Sequence, residues 1–447
     1  MNNDKVPNII NWSAGIGLNN NQKANQTTKL KHVFKPDRCV IGVRSVNVSS
    51  DNRYLIITFI SKDGFIRVFD LEKLELLLHS YTGHTDSVRL TTVSRDNQFC
   101  YTASWDGTSR KFQLATGECT QILGSFGRSP SCFLDQENRW LFTASYDRDI
   151  EFESGNVGRC WDIKSGKPIY YYKHQKVEAD KDPESVDIAY DQQFVYTGSD
   201  DGVAYRFNLT GGMPLLKYFS FTGSVRKVAV TSKFFVAACT NGLVRVHDKI
   251  SGELFKNLFH SNDQVMDVRI SKDENYLFSA SMDGSVKCFN ITTGEERYHY
   301  KIHNNWIWSI SLMNSDTVLV TGSVDGTVVF LSADTGDVLA RLLCFPAEHE
   351  FLINCIADKI FPDGFFFTNN HEFVQVALVN EDNNTEEILK SNDLRRIEYI
   401  NKLNLKNLVL TRLRNNRHYT SMTNNFLGNR KTLERQQNAK LPLGLRS

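Results

Sequence analysis

A short phrase built around an Asp-Gly or Asn-Gly pair returns about every 42 residues along this chain, and that return limits its possible folds more than any other feature. Copies centre on Asp63-Gly64, Asp106-Gly107, Asp201-Gly202, Asn241-Gly242, Asp283-Gly284 and Asp325-Gly326, with a further copy at Asp147 that has no glycine. Successive turn residues are offset by 43, 41, 54, 40, 42 and 42 positions. A unit of this length carrying several short apolar runs cannot bury its hydrophobic face alone. It must stack against copies of itself, which is the signature of a propeller array.

The stretch 265–300 shows how one unit is built. Val265, Val268 and Ile270 open a short strand, and residues 271–275 carry turn chemistry. Residues 276–281 read as a second strand, Asp283-Gly284 as a tight hairpin, 286–289 as a third strand, and 296–300 as an outer fourth. The same pattern fits 43–80, 88–124, 131–173, 186–220, 224–259 and 307–344. Residues 351–390 fit a degenerate version in which His371-Glu372 replaces the Asp-Gly turn. The fold class expected is therefore all-β: a single β-propeller of four-stranded antiparallel blades. Eight blades are expected, with seven plus an accessory hairpin as the alternative. Thr28–Phe34 or residues 385–390 would supply the outer strand of the last blade and join the two ends of the chain. The domain reading is a flexible tail over 1–27, the propeller over 28–390, and a basic, partly helical or disordered extension over 391–447. The helix in that extension would begin at Ser391-Asn392-Asp393.

Gly83-His84 and Trp161-Asp162 are the landmarks by which the chain resembles the WD-repeat family, over roughly 300 residues. Elsewhere the Trp-Asp position holds Phe69-Asp70, Phe112-Gln113, Phe207-Asn208, His247-Asp248, Phe289-Asn290 and Phe330-Leu331. His174, His260 and His303 stand near the Gly-His slot without its glycine. The resemblance implies blades tied by a hydrogen-bonded set of His, Ser/Thr, turn Asp and strand Trp. Blade two offers His84, Ser104 and Asp106 with Phe112, which has no indole N–H to donate. Stability is therefore expected to rest mainly on apolar contact between blades.

Charge is unevenly distributed. The net charge of +1 hides basic ends: thirteen Lys/Arg against three acids over 390–447, and five lysines against one acid over 1–36. The nine cysteines form no Cys-x-x-Cys pair and read as reduced thiols in a cytoplasmic or nuclear protein. No secretory leader and no apolar run long enough for membrane insertion are read. No phosphate loop, nucleophile elbow or complete zinc-protease pattern occurs, so no cofactor, metal or catalytic residue is assigned. The inner strands read as valines, isoleucines and serines, which argues against a propeller enzyme with a central-channel active site.

In a ring of this kind the hairpin turn and the loop before each inner strand share one face. The residues expected there as partner-binding are Lys62, Trp105, Tyr146, Asp200, Thr240, Met282 and Val324, joined by Trp306. Large aromatics and methionine are the composition of an interface anchor. Blade three carries an extended loop, Arg148–Gly158, followed by a charged stretch, His174–Glu184, both placed on that face. The resulting functional expectation is a non-catalytic scaffold within a larger multi-subunit assembly, cytoskeletal or ciliary, or ribonucleoprotein. Its basic tails would meet acidic surfaces such as tubulin or RNA. A substrate receptor of a ubiquitin ligase is a further alternative, because Trp161-Asp162-Ile163-Lys164 is similar to the ending such receptors use.

Overall fold

The glycines of the six repeat pairs, Gly64, Gly107, Gly202, Gly242, Gly284 and Gly326, all sit where the backbone turns with positive φ. Gly242 has φ of 80°, and a Cβ there would fall 1.8 Å from the carbonyl oxygen of Ser261. Only glycine fits, so the hairpin turn and the loop entering the next blade are locked together. In the computed structural model the described residues are 41–345 without 74, 77–80, 125–127, 147–156, 174–184, 201, 213 and 219–222. The strands 14–17, 28–34, 350–355, 365–368, 374–380 and 385–388 are described as well.

Seven antiparallel blades form the propeller, six of them four-stranded sheets and the seventh part of a six-stranded one. Blade one is Val43–Val48, Tyr54–Phe59, Ile66–Asp70 and Glu75–Leu76. The other inner strands are Val88–Val93, Arg128–Leu134, Ser185–Tyr190, Val225–Val230, Val265–Ile270 and Ile307–Met313. Second and third strands are nearly continuous in burial, as in Val318–Ser323 and Thr327–Ser332, where every residue is buried. Both faces of each blade are covered by neighbours, which accounts for such runs. Among the described residues there is no helix.

The expected eighth blade is overturned. Seven blades close the ring, because the inner strand of blade seven packs directly on blade one. Ser309 Oγ lies 3.3 Å from both the N–H and the carbonyl oxygen of Val46. The Asn314 N–H donates to Asn52 Oδ1 at 2.7 Å. A Cβ on Gly322 of blade seven would meet Val43 Cγ1 at 2.6 Å, so no space for another blade separates them. The residues read as blade eight belong largely to a second compact unit. There Val374–Asn380 pairs antiparallel with Thr28–Phe34 and with Thr385–Ile388. The two segments proposed for the outer strand thus both pair with 374–380, and ends distant in sequence share one sheet. Ala14–Gly17, inside the expected flexible tail, is a strand paired with Thr28–Phe34. The extended loop of blade three between 147 and 156, the stretch 174–184 and the expected C-terminal helix lie outside the described residues.

Apolar packing runs from blade to blade. One cluster joins Val244, Val246, Val265, Val268, Leu277 and Phe289 across blades five and six. The aromatic at the end of each third strand is buried whatever its identity: Phe69, Phe112, Trp161, Phe207, His247, Phe289 and Phe330. The Asp or Asn after it caps the next turn. Asp248 Oδ1 accepts the N–H groups of Ile250 and Ser251 at 3.0 and 2.8 Å, and Asn290 does the same for Thr292 and Thr293.

Polar sets centred on His84, Trp161, His260 and His303 add to this packing, with one change of membership from the sequence reading. His84 bonds Asp106 Oδ2 and Thr102 Oγ1, each at 2.7 Å. The hydroxyl partner is Thr102 and not Ser104, whose own hydroxyl donates to the carbonyls of Asp86 and Ser87. The two positions share a face of the strand Phe99–Ser104, and their place along it makes the difference: Thr102 lies opposite the histidine ring, whereas Ser104, the last residue of the strand, meets the entry loop. His303 repeats the arrangement with Asp325 at 3.0 Å and Thr321 at 2.8 Å. Burial works to raise Asp106 and Asp325, but the neighbouring histidine outweighs it and holds each carboxyl well below the usual range. In blade three the tie is Trp161 Nε1–H donating to Thr143 Oγ1 at 2.9 Å.

Candidate functional site at the channel mouth

A single irregularity of the inner strands builds this site. In every blade the pairing of first and second strands shifts near its start, between Val43/Ser45, Val88/Leu90, Arg128/Ser131, Ser185/Asp187, Val225/Lys227, Val265/Asp267 and Ile307/Ser309. A bulge leaves one residue unpaired and re-aims its side chain. In five blades those residues are Arg44, Arg89, Arg226, Met266 and Trp308, and all five line a cavity of about 270 Å³ to which all seven inner strands contribute.

The cavity wall carries four cations, Arg44, Arg89, Arg226 and Lys227, and two acids, Asp187 and Asp267. Arg44 places its guanidinium 3.9 Å from the centroid of the Trp308 ring. Arg89 lies 4.0 Å from Trp105 and 5.6 Å from Trp308. The two arginines and two tryptophans therefore alternate, each cation held by an aromatic face. Trp306 meets Trp308 edge-on at 5.9 Å and is 44% exposed. The Trp308 indole N–H is buried and has no acceptor among the described residues. Arg226 pairs with Asp200 of the preceding blade at 3.4 Å.

The acids are committed to the scaffold. Asp187 accepts from Lys227 Nζ at 3.0 Å, from the Val228 N–H at 2.8 Å, and from Ser131 Oγ. Asp267 accepts the Val268 and Ile310 N–H groups, both at 2.9 Å. Among the described residues no group of three or more His, Cys, Asp or Glu comes together. The expectation that inner strands offer only valines, isoleucines and serines is corrected by Arg44, Arg89, Asp187, Arg226, Lys227, Asp267 and Trp308. An alternating strand pattern hid them, because bulges break the alternation on which that reading depends.

The residues expected on this face are differently placed. Trp105 and Met282 line the cavity, and Trp306 and Asp200 touch residues that do. The N–H groups of Trp105, Thr240, Met282 and Val324 donate to the carbonyls of Ser87, Ser224, Gln264 and Trp306. These bonds tie each hairpin turn to the entry loop of its own blade, so the two share a face. Thr240 and Val324 are half-buried and do not line the cavity. Lys62 is exposed, but its blade turns two residues later than the others. Ile60, whose N–H donates to the Gly42 carbonyl at 2.7 Å, holds the position that Trp105 holds in blade two. Tyr146 ends the strand Trp140–Tyr146, and its side chain lies outside the described residues.

A ring of seven repeated antiparallel blades around a central channel defines a β-propeller. The chain carries WD repeats: the family model described as WD domain, G-beta repeat, matches residues 29–70, 75–112, 252–290 and 294–330. It is similar to eukaryotic translation initiation factor 3 subunit I of Aspergillus niger, at 24% identity over 47% of this chain and 52% of that protein. It is also similar to serine-threonine kinase receptor-associated protein of Mus musculus, at 22% identity over 48% of this chain and 57% of that protein. The chain spans about half the length of the curated relatives it matches. No helix among the described residues is long and apolar enough to cross a membrane.

Proposed function

We propose that this chain is a non-catalytic scaffold that holds a protein partner at the channel mouth within a multi-subunit assembly. The observation that carries the reading is the alternation Arg44–Trp308–Arg89–Trp105, which concentrates rigid aromatic area and guanidinium donors in one concave place. Tryptophan and arginine dominate binding energy at protein interfaces. The two acids that could serve chemistry are already bonded to backbone N–H groups, which supports a binding role over a catalytic one. Of the assemblies considered, a ribonucleoprotein one is favoured over a cytoskeletal one, because one group of relatives carries the name of a translation initiation factor subunit. The cytoplasm is the compartment proposed on the same ground.

Affinity purification of the full-length chain from its native cell tests this reading, with Trp105→Ala plus Met282→Ala as the comparison. Recovery of a fixed set of proteins that the double variant loses would support the mouth as the docking place. Recovery undiminished by the variant would move the docking place elsewhere, and recovery of no stable partner would overturn the scaffold itself. Loss of the partners on nuclease treatment would identify the assembly as a ribonucleoprotein.

A further inference from the structure

We propose that the channel mouth recognises an acidic peptide segment, one Asp or Glu beside an apolar residue, with the carboxylate received by Arg44 and Arg89. This rests on the scaffold reading and names the chemistry of its partner.

Charge at the mouth gives the first argument. Four cations and two acids line the cavity, and both acids are held by internal donors. The excess is cationic, and low-dielectric walls focus it on an incoming anion. The second argument is geometric. A guanidinium is a planar fork that matches a carboxylate with two parallel N–H donors, and stacking on a ring fixes the plane of that fork in advance. Trp308 orients Arg44 in this way and Trp105 orients Arg89. The Trp308 indole N–H, without an acceptor in the described residues, is a further donor that an incoming carboxylate or carbonyl would satisfy. The third argument concerns the rest of the lining. Leu90, Met266, Met282 and the tryptophan rings offer apolar area next to the cations, and methionine adapts to apolar side chains of varied shape.

Nucleic acid is the competing occupant, and the geometry favours it less. Single-stranded chains are held by a basic groove that tracks many phosphates and by aromatic faces free for bases to stack on. Here each tryptophan of the ladder already carries a guanidinium on one face. The cations sit among Asp187, Asp200 and Asp267, and a cavity of about 270 Å³ admits a side chain or two, not a tract of nucleotides.

The test is selection of peptides from a random synthetic array by the full-length chain. Arg44→Gln plus Arg89→Gln is run beside it, with Lys272→Gln as a reference for a cation remote from the mouth. Selected peptides and a ten-residue uridine oligonucleotide are then titrated against tryptophan fluorescence at two salt concentrations. The expected result is enrichment of Asp or Glu next to Leu, Met or Phe. A Glu→Gln change in the peptide should weaken binding about 10-fold or more, matching a double variant that melts at the wild-type temperature. Should the double variant fail to fold, Arg44→Lys, which keeps charge and loses the fork, must weaken the acidic peptide while sparing its Gln form. Peptides without acidic bias, equal binding of Glu and Gln forms, or retention by the variants would overturn the inference. So would uridine binding that the variants lose when no acidic peptide is selected. If a stable assembly is purified but survives the arginine changes, this inference fails and the scaffold stands; if none is purified, the scaffold reading itself fails.

Discussion

Asp267 of blade six accepts the backbone N–H of Ile310 in blade seven at 2.9 Å, from a side chain only 3% exposed. Asp187 does the same for Val228 of blade five at 2.8 Å, and Ser309 reaches Val46 of blade one. All three occupy the same place, the residue after the bulge, and each clips its blade to the next around the channel. The ring is therefore held by polar ties at its narrowest circumference as well as by apolar packing farther out.

Removing one clip should be costly. Asp267→Ala strands two buried N–H groups, those of Val268 and Ile310, each worth roughly 1–3 kcal/mol when left without an acceptor. A loss of about 2–4 kcal/mol in urea unfolding is expected, with Asp267→Asn losing less because its amide oxygen still accepts one of them. Equal stability of Asp267→Ala and wild type would remove the clip from the account of the fold.

Trp161 separates a polar tie from packing. Trp161→Phe keeps most of the ring but loses the bond to Thr143 Oγ1, so about 1 kcal/mol should be lost. Trp161→Ala also empties a buried site that presses against Gly124 and should cost about 3–5 kcal/mol. Thermal melting of both variants and of Thr143→Val checks the division. The tie is absent if Trp161→Phe loses nothing in the wild-type background.

His260 gives the protein a pH-dependent component of stability. Its ring bonds Ser279 and Ser285 at 2.6 and 2.9 Å, and burial pushes its pKa down to about 4. The unfolded chain takes up this proton below its ordinary pKa of 6.5, whereas the folded chain does not. Stability from this group is thus complete above about pH 6.5 and declines as pH falls toward 4, by ~1–3 kcal/mol. His247, also lowered by burial, acts in the same direction. Urea unfolding at several pH values should show a slope between pH 4 and 6.5 that is smaller by about one proton in His260→Gln; an unchanged slope would assign the decline to other groups.

Thiol reactivity should follow burial. Burial pushes Cys132, Cys160, Cys239 and Cys288 up to about 12, and Cys100 still higher, whereas Cys119 is half-buried. The thiolate is the reactive form. Among these six, brief alkylation of the native protein followed by peptide mass mapping should modify Cys119 first. Modification of the other five should appear only in denaturant. Early labelling of Cys160 or Cys288 would mean that blades open far more readily than this packing allows.

Where the sequence reading and the structure part, the reason is specific. Eight blades were expected because 351–390 contains strand-like runs and a turn, and those strands do exist. Their local pattern says nothing about what they pair with. Lys62 was placed on the mouth by counting back from Asp63, but the turn of blade one is longer, and backbone bonding gives that position to Ile60.

The sequence by itself determined the repeat, the turns and the ring. Glycines such as Gly242 stand where no side chain fits, and an aromatic recurs at the end of each third strand. These are local or periodic requirements, legible one unit at a time. Tertiary structure alone decided the closure at seven and the chemistry of the mouth. Closure depends on how closely Gly322 lets blade seven approach Val43, a fit between residues far apart in the chain. The mouth depends on a bulge that swings Arg44, Arg89 and Trp308 out of the strand alternation, and a bulge is a property of pairing between strands, absent from either strand read alone.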